Sequence, residues 1–173
     1  MKILPLALLL LVPTLAGCDS ADDDAAALTI TQTVVADAQL SLLETAVIRA
    51  GLDDDLAATG PFTVFAPNDA AFAALLTELD VTLQALLANQ ALLSSILTTH
   101  VVSGERLAAS LSAGTTLTTL NGEVLTVVAV GTGLGLDTED AGTAANAIIT
   151  ATNIDASNGV VHKIGAVLLP TAN

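Results

Sequence analysis

The 173-residue chain has no tryptophan, no tyrosine, one cysteine and 3 phenylalanines, and only 4 Lys and Arg side chains stand against 18 Asp and Glu. Each shortage excludes something. A single cysteine can form neither an internal disulfide framework nor a thiolate metal cage. A formal net charge of -14 excludes a nucleic-acid partner, because phosphate binding rests on clustered cations that this chain does not own. No Gly-x-Ser-x-Gly elbow, phosphate loop or His-Glu-x-x-His sequence is present. Residues 127–135 imitate a dinucleotide fingerprint, but Leu136 holds the place of its third glycine and the acids that follow lie where pyrophosphate would sit, so the stretch reads as a glycine-rich hairpin. The acidic runs at 22–24, 53–55 and 137–140 lack the spacing of a calcium loop and read as solvated surface. No cofactor, metal ligand or catalytic residue is therefore expected.

What is present is apolar mass, 53% of the residues, enough for the core of one domain and too much for a disordered chain. Met1 and Lys2 precede a short apolar run over 3–12, well below the ~20 residues that span a bilayer, which is the layout of a cleaved export signal. Leu15-Ala16-Gly17-Cys18 resembles the bacterial lipobox, in which the cysteine receives a diacylglycerol and becomes the acylated N-terminus. Residues 1–17 are then a lipoprotein signal, and two or three acyl chains on Cys18 hold the protein firmly to a membrane of the bacterial envelope. Loss of Lys2 makes the mature chain more acidic still, a feature that a saline habitat would explain through screening. Residues 18–28, mostly Ala and Asp, read as an acidic tether, and residues 29–173 as one domain.

Within that domain, Ser41-Leu42-Leu43-Glu44 reads as a capping box opening a helix that carries Leu43, Ala46, Val47 and Ala50 on one face and stops at Gly51. A strand is expected over 62–66, and Asn68 as the cap of a helix through Leu76. Phe62, Val64 and Ala66 alternate toward one side, and Phe72 reaches back to them from the helix, so the aromatics are core. One or two helices follow over 83–97. Beyond His100 the composition turns to Thr and Val broken by Gly and Asn. Asn121-Gly122 and Asn158-Gly159 mark two hairpins, the second between strands at 147–154 and 160–164. Helices followed by antiparallel strands make an α+β domain.

Two stretches together carry a family resemblance. Thr63-Val64-Phe65-Ala66-Pro67-Asn68-Asp69-Ala70-Ala71-Phe72 resembles the first signature of fasciclin domains, and Asn158-Gly159-Val160-Val161-His162-Lys163-Ile164 resembles the second. Between them, the segment around His100 matches the family's Tyr-His segment, and the hairpin at Asn121-Gly122 its Leu-Asn-Gly hairpin. The resemblance implies a wedge-shaped β-sandwich with helices packed on one side, and a role in adhesion or in contacts with a surface or matrix protein or polysaccharide. It also implies a runner-up, a carrier of an apolar lipid or pigment, since some relatives are thought to bind such molecules. Three departures matter: Thr99 stands in place of the tyrosine, Asn153 precedes Ile154 where many members have Asp-Ile, and Lys163 and Gly165 replace an apolar residue and an aspartate. In animal members the two former segments are tied to integrin recognition, so no integrin partner is expected here. His100 and His162 are expected to be structural, bonded to backbone or to an acid such as Asp69. The contact face is expected around Thr99 to Glu105 and around Asn153, Ile154 and Asp155 to Ser157.

Overall fold

The computed structural model describes residues 28–138 and 147–170. The expected signal, Cys18 and the tether up to residue 27 lie outside the described residues, as does part of the acidic run at 137–140.

Helix α1 (Ile30–Ala36) is opened by Thr29, whose hydroxyl accepts from Gln32 N while the Gln32 side chain accepts from Thr29 N. Thr29 and Gln32 thus form a capping box, whereas the one expected at Ser41 is not made. Helix α2 (Ser41–Ala50) has no cap from its own preceding side chain. Its N-terminus is instead held by Asp69, whose carboxylate accepts from Ser41 Oγ at 2.7 Å and from Leu42 N at 2.9 Å. A carboxylate from another element answers the same orphan donors and the positive end of the helix dipole. Gly51 stops α2 in the left-handed region, at φ 69°. The acids at 53–55 fill the first turn of α3 (Asp53–Ala57), where negative charge is favourable.

Strand β1 (Phe62–Pro67) leads through Asn68, whose Oδ1 accepts from Ala71 N at 2.8 Å, into α4 (Asp69–Glu78). The region at 83–97 forms two helices, α5 (Leu83–Ala88) and α6 (Gln90–Thr99), capped by Thr82 and Asn89. The remaining strands are β2 (Val101–Ser103), β3 (Thr116–Thr118), β4 (Val124–Val130), β5 (Gly133–Thr138), β6 (Ala147–Ala156) and β7 (Gly159–Ile164). They pair in the order β2-β1-β7-β6-β5-β4-β3. Every neighbour is antiparallel except β1 and β7, which run parallel with Phe62 opposite Gly159 and Pro67 opposite Ile164. The strands after the helices are antiparallel to one another, as expected, and the single parallel pair arises because the early strand β1 is set beside the last one.

The sheet folds over on itself. Register shifts in β6 between Ile149 and Ala151 and between Ala151 and Ile154 bend it, as bulges do, and it meets β5 through Gly135 and Leu136. The end strands then touch, with Val102 bridged to Thr119 and Leu120 N donating to Val101 O at 2.8 Å. The result is an α+β, wedge-like β-sandwich. Phe65, Val102, Leu117, Leu125, Val127, Leu136, Ile164 and Leu168 fill its interior. The other face of β1 and β7, with Val64, Ala66 and Val161, packs against Phe72, Leu93, Ile96 and Leu97 of the helices. The period of two along β1 thus divides the aromatics: Phe62 and Phe72 join the helical core and Phe65 the sandwich.

The 127–135 stretch is the β4–β5 hairpin, turning at Gly131 and Thr132. At the second Asn-Gly pair the turn residues are Ser157 and Asn158, with Ala156 opposite Gly159, one position earlier than expected. Gly159 belongs to β7 and is there because β1 passes so close that a Cβ would collide with the Phe62 carbonyl oxygen.

Candidate contact surface

The loop after β2, from Gly104 to the 3-10 turn at Ala108–Ser110, is held by side chains of three strands. Thr63, buried on β1, donates to Gly104 O at 2.7 Å and accepts from Arg106 N at 2.8 Å. His162 of β7 donates from Nε2 to Arg106 O at 2.7 Å, and its Nδ1 accepts from Asn153 N at 3.3 Å. Asn153, on the bulged part of β6 with φ at 56°, accepts at Oδ1 from Ala108 N at 2.8 Å. Its exposed side chain is therefore engaged in holding the loop.

His100 occupies the matching position at the end of α6. Its Nδ1 donates to Ile96 O at 2.7 Å and its Nε2 accepts from Leu168 N at 2.9 Å. In each histidine one nitrogen accepts from a backbone N–H, so that nitrogen carries no proton and the ring is neutral. Burial favours the same state, pushing His100 down to about 4 and His162 below its ordinary value. His162 also stacks on Phe65, with ring centroids 5.5 Å apart.

Asn158 ties down the turn beside this loop. Its Nδ2 donates to Leu56 O at 2.7 Å and Ala58 O at 3.0 Å, and its Oδ1 accepts from Ile30 N at 2.9 Å. Its carbonyl accepts from Phe62 N, and Ser157 N donates to Leu28 O at 2.8 Å. One asparagine thus joins α1, α3, β1 and the β6–β7 turn. Around it lies a groove of about 600 Å³ lined by Thr29, residues 57–61, Glu105 and residues 155–159. Glu105, Asp155 and Ser157 are exposed at its rim. Among the described residues no Lys or Arg lines it.

Two of the expected contact segments, Glu105 and residues 155–157, come together at this groove. Ile154 is half-buried against the helical core. Thr99 is corrected: it is 0% exposed, with its hydroxyl 2.9 Å from Ser95 O and 3.2 Å from Asn121 Nδ2, because it closes the inward face of α6. Among the signature residues Phe65, Ala66, Pro67, Phe72, His100 and His162 are buried, whereas Asn121 and Gly122 form an exposed hairpin tip. Asp69 bonds α2 rather than either histidine. Residues 57–61 and Thr29 were not expected in the site; the Gly60-Pro61 break was the only sign in the sequence that the chain turns there. Lys163 reaches across to Asp37 as an ion pair and to Gln39 Oε1 at 3.3 Å, and that pair holds the Asp37 carboxyl below its ordinary value.

Two apolar cavities, one among α1, α2 and α3 and one between helices and sheet beneath His100, each hold about 20 Å³. That is room for one water, against the several hundred Å³ of a site for a lipid or pigment. Among the described residues no three His, Cys, Asp or Glu side chains converge to hold a metal ion, and no helix is long and apolar enough to cross a membrane.

Compared with known proteins, the family model described as the Fasciclin domain matches residues 38–170. Protein sll1483 of Synechocystis sp. is 40% identical over 147 residues, which is 83% of this chain and 74% of that protein. Immunogenic protein MPB70 of Mycobacterium bovis is 36% identical over 114 residues, covering 66% of this chain and 52% of the relative. Among solved structures, a FAS1 domain pair from the insect cell adhesion molecule Fasciclin I aligns with a TM-score of 0.66 at 19% identity. The alignment covers 83% of this chain and 51% of that one, a likeness of fold.

Proposed function

This chain belongs to the fasciclin domain family, and on that premise we propose that it is a non-catalytic contact module, exported and held to the bacterial envelope by lipid on Cys18. The groove beside the β6–β7 turn and its rim meet a surface or matrix protein or a polysaccharide. The observation that supports this best is where the polar groups are spent. Thr63, His100, His162 and Asn158 give their hydrogen-bonding capacity to backbone, and both imidazoles are neutral with both nitrogens engaged. A general base needs a free lone pair aimed at a reacting proton, and neither ring offers one. The unengaged polar side chains Glu105, Asp155 and Ser157 stand outside, on backbone that those interior bonds hold rigid. Rigid presentation lowers the ordering cost of binding, and tethering many copies on one surface multiplies weak contacts.

The test is attachment and aggregation of three strains: the parent, a deletion, and one carrying Glu105→Gln with Asp155→Asn. Loss of attachment in the deletion and a partial loss in the double variant are expected. A deletion strain that attaches like its parent means that contact is not the role. The carrier alternative gains if protein purified from its own host holds an apolar molecule in stoichiometric amount, apart from lipid on Cys18.

A further inference from the structure

The groove and the point at which the chain enters the domain are the same place. Leu28 O accepts from Ser157 N at 2.8 Å, Ile30 N donates to Asn158 Oδ1 at 2.9 Å, and Thr29 between them lines the groove. The first described residue is therefore pinned to the β6–β7 turn, the rim that carries Asp155 and Ser157. Residues 19–27 are all that separate this pin from Cys18. Nine residues reach roughly 30 Å when fully extended and about 17 Å on average when flexible. The far end of the sheet lies further from the pin: β1 starts at Phe62, next to the groove residue Pro61, and ends at Pro67, about 17 Å away at strand rise.

Charge decides what can sit in the groove. The segment 19–27 brings Asp19, Asp22, Asp23 and Asp24, which Glu105 and Asp155 at the rim repel. Anionic lipid head groups are repelled for the same reason. A partner segment bearing Lys or Arg is attracted, both by the two carboxylates and by the field of a strongly acidic molecule.

We propose that the groove opens on the membrane-proximal end of the domain and takes a basic, extended segment of a protein standing on that same membrane, so that contact through this site is lateral rather than between cells. The inference deepens the lipid-anchored contact role and rests on it. It fits a rim built at the pinned end, where a partner on an opposing surface would have to pass the whole domain to arrive.

The experiment uses the full mature chain with lipid placed chemically on Cys18, in phosphatidylcholine vesicles containing a trace of lipid with a quenching head group. A dye is put on Ser157→Cys or on Ala70→Cys, the latter an exposed position just beyond the end of β1. Quenching several-fold stronger at position 157 is expected; equal or reversed quenching overturns the orientation. A soluble peptide alternating lysine and glycine is then titrated. Its affinity is expected to fall about tenfold in Glu105→Gln with Asp155→Asn, and to change little in Asp54→Asn with Asp55→Asn, which removes the same charge from α3. Equal weakening in both pairs means diffuse attraction and overturns the assignment of the basic segment to the groove. Because the lipid is supplied in the sample, these outcomes are independent of whether cells acylate Cys18, which the intact mass of native protein reads separately.

Discussion

His100 is the residue on which burial, tautomer and pH behaviour meet. Its folded value lies at about 4 against 6.5 in the unfolded chain, because the interior disfavours the charged ring. A value depressed on folding means that the unfolded chain binds the proton first. The stability contributed is complete above pH 6.5 and is lost as pH falls toward 4, a difference on the order of 3 kcal/mol. Urea midpoints should therefore drop between neutral pH and about pH 4, and His100→Gln should lower stability at pH 7 while flattening that slope. A variant that keeps the full slope assigns it to another group. Asp37 has the same sign in a lower window, since Lys163 depresses its carboxyl and that contribution is lost only as pH falls below 3.8. Asn158 offers a second residue-scale outcome. Asn158→Ala removes two donors and an acceptor bonded to backbone of α1 and α3, and a loss of about 2–4 kcal/mol is expected by denaturant unfolding.

Elements whose signal is local were legible in the sequence, and those whose signal comes from elsewhere in the chain were not. The helix ending at Gly51, the Asn68 cap and the Asn121-Gly122 hairpin follow from periodicity and turn chemistry within a few residues. The cap of α2 did not, because Ser-x-x-Glu satisfies the pattern while the group that holds the helix is Asp69, 27 residues on. Asp69→Ala should therefore destabilise by about 1–2 kcal/mol although no helix pattern marks it, whereas Glu44→Ala should cost a few tenths at most. Thermal unfolding of the two variants separates the cases, and the reverse ranking would restore the capping box at Ser41. The contact site divides in the same way. Glu105 and Asp155 were read from resemblance, but Thr99 was misplaced, because a sequence match does not say which way a residue at a helix end faces. Gly159 was read as a turn glycine, and only the approach of β1 shows that its missing side chain is what matters.

At the scale of the whole molecule, 18 acids on a chain of net charge -14 repel one another across a surface poor in cations. Adding NaCl from low ionic strength to about 1 M should raise the thermal midpoint by screening, and a flat or falling midpoint would refute that account of the surface. The order in which the strands lie has a further bearing on how the protein is made. Strand β1 sits between β2 and β7, so its inner edge finds its partner only when the last strand of the described fold arrives. Until then, a chain emerging N-terminus first displays one unclosed ribbon of Phe62, Val64 and Ala66 beside half-assembled helices. Folding is consequently completed by a single late closure, and fragments that stop short of residue 159 should be substrates for proteases rather than smaller working versions of the protein.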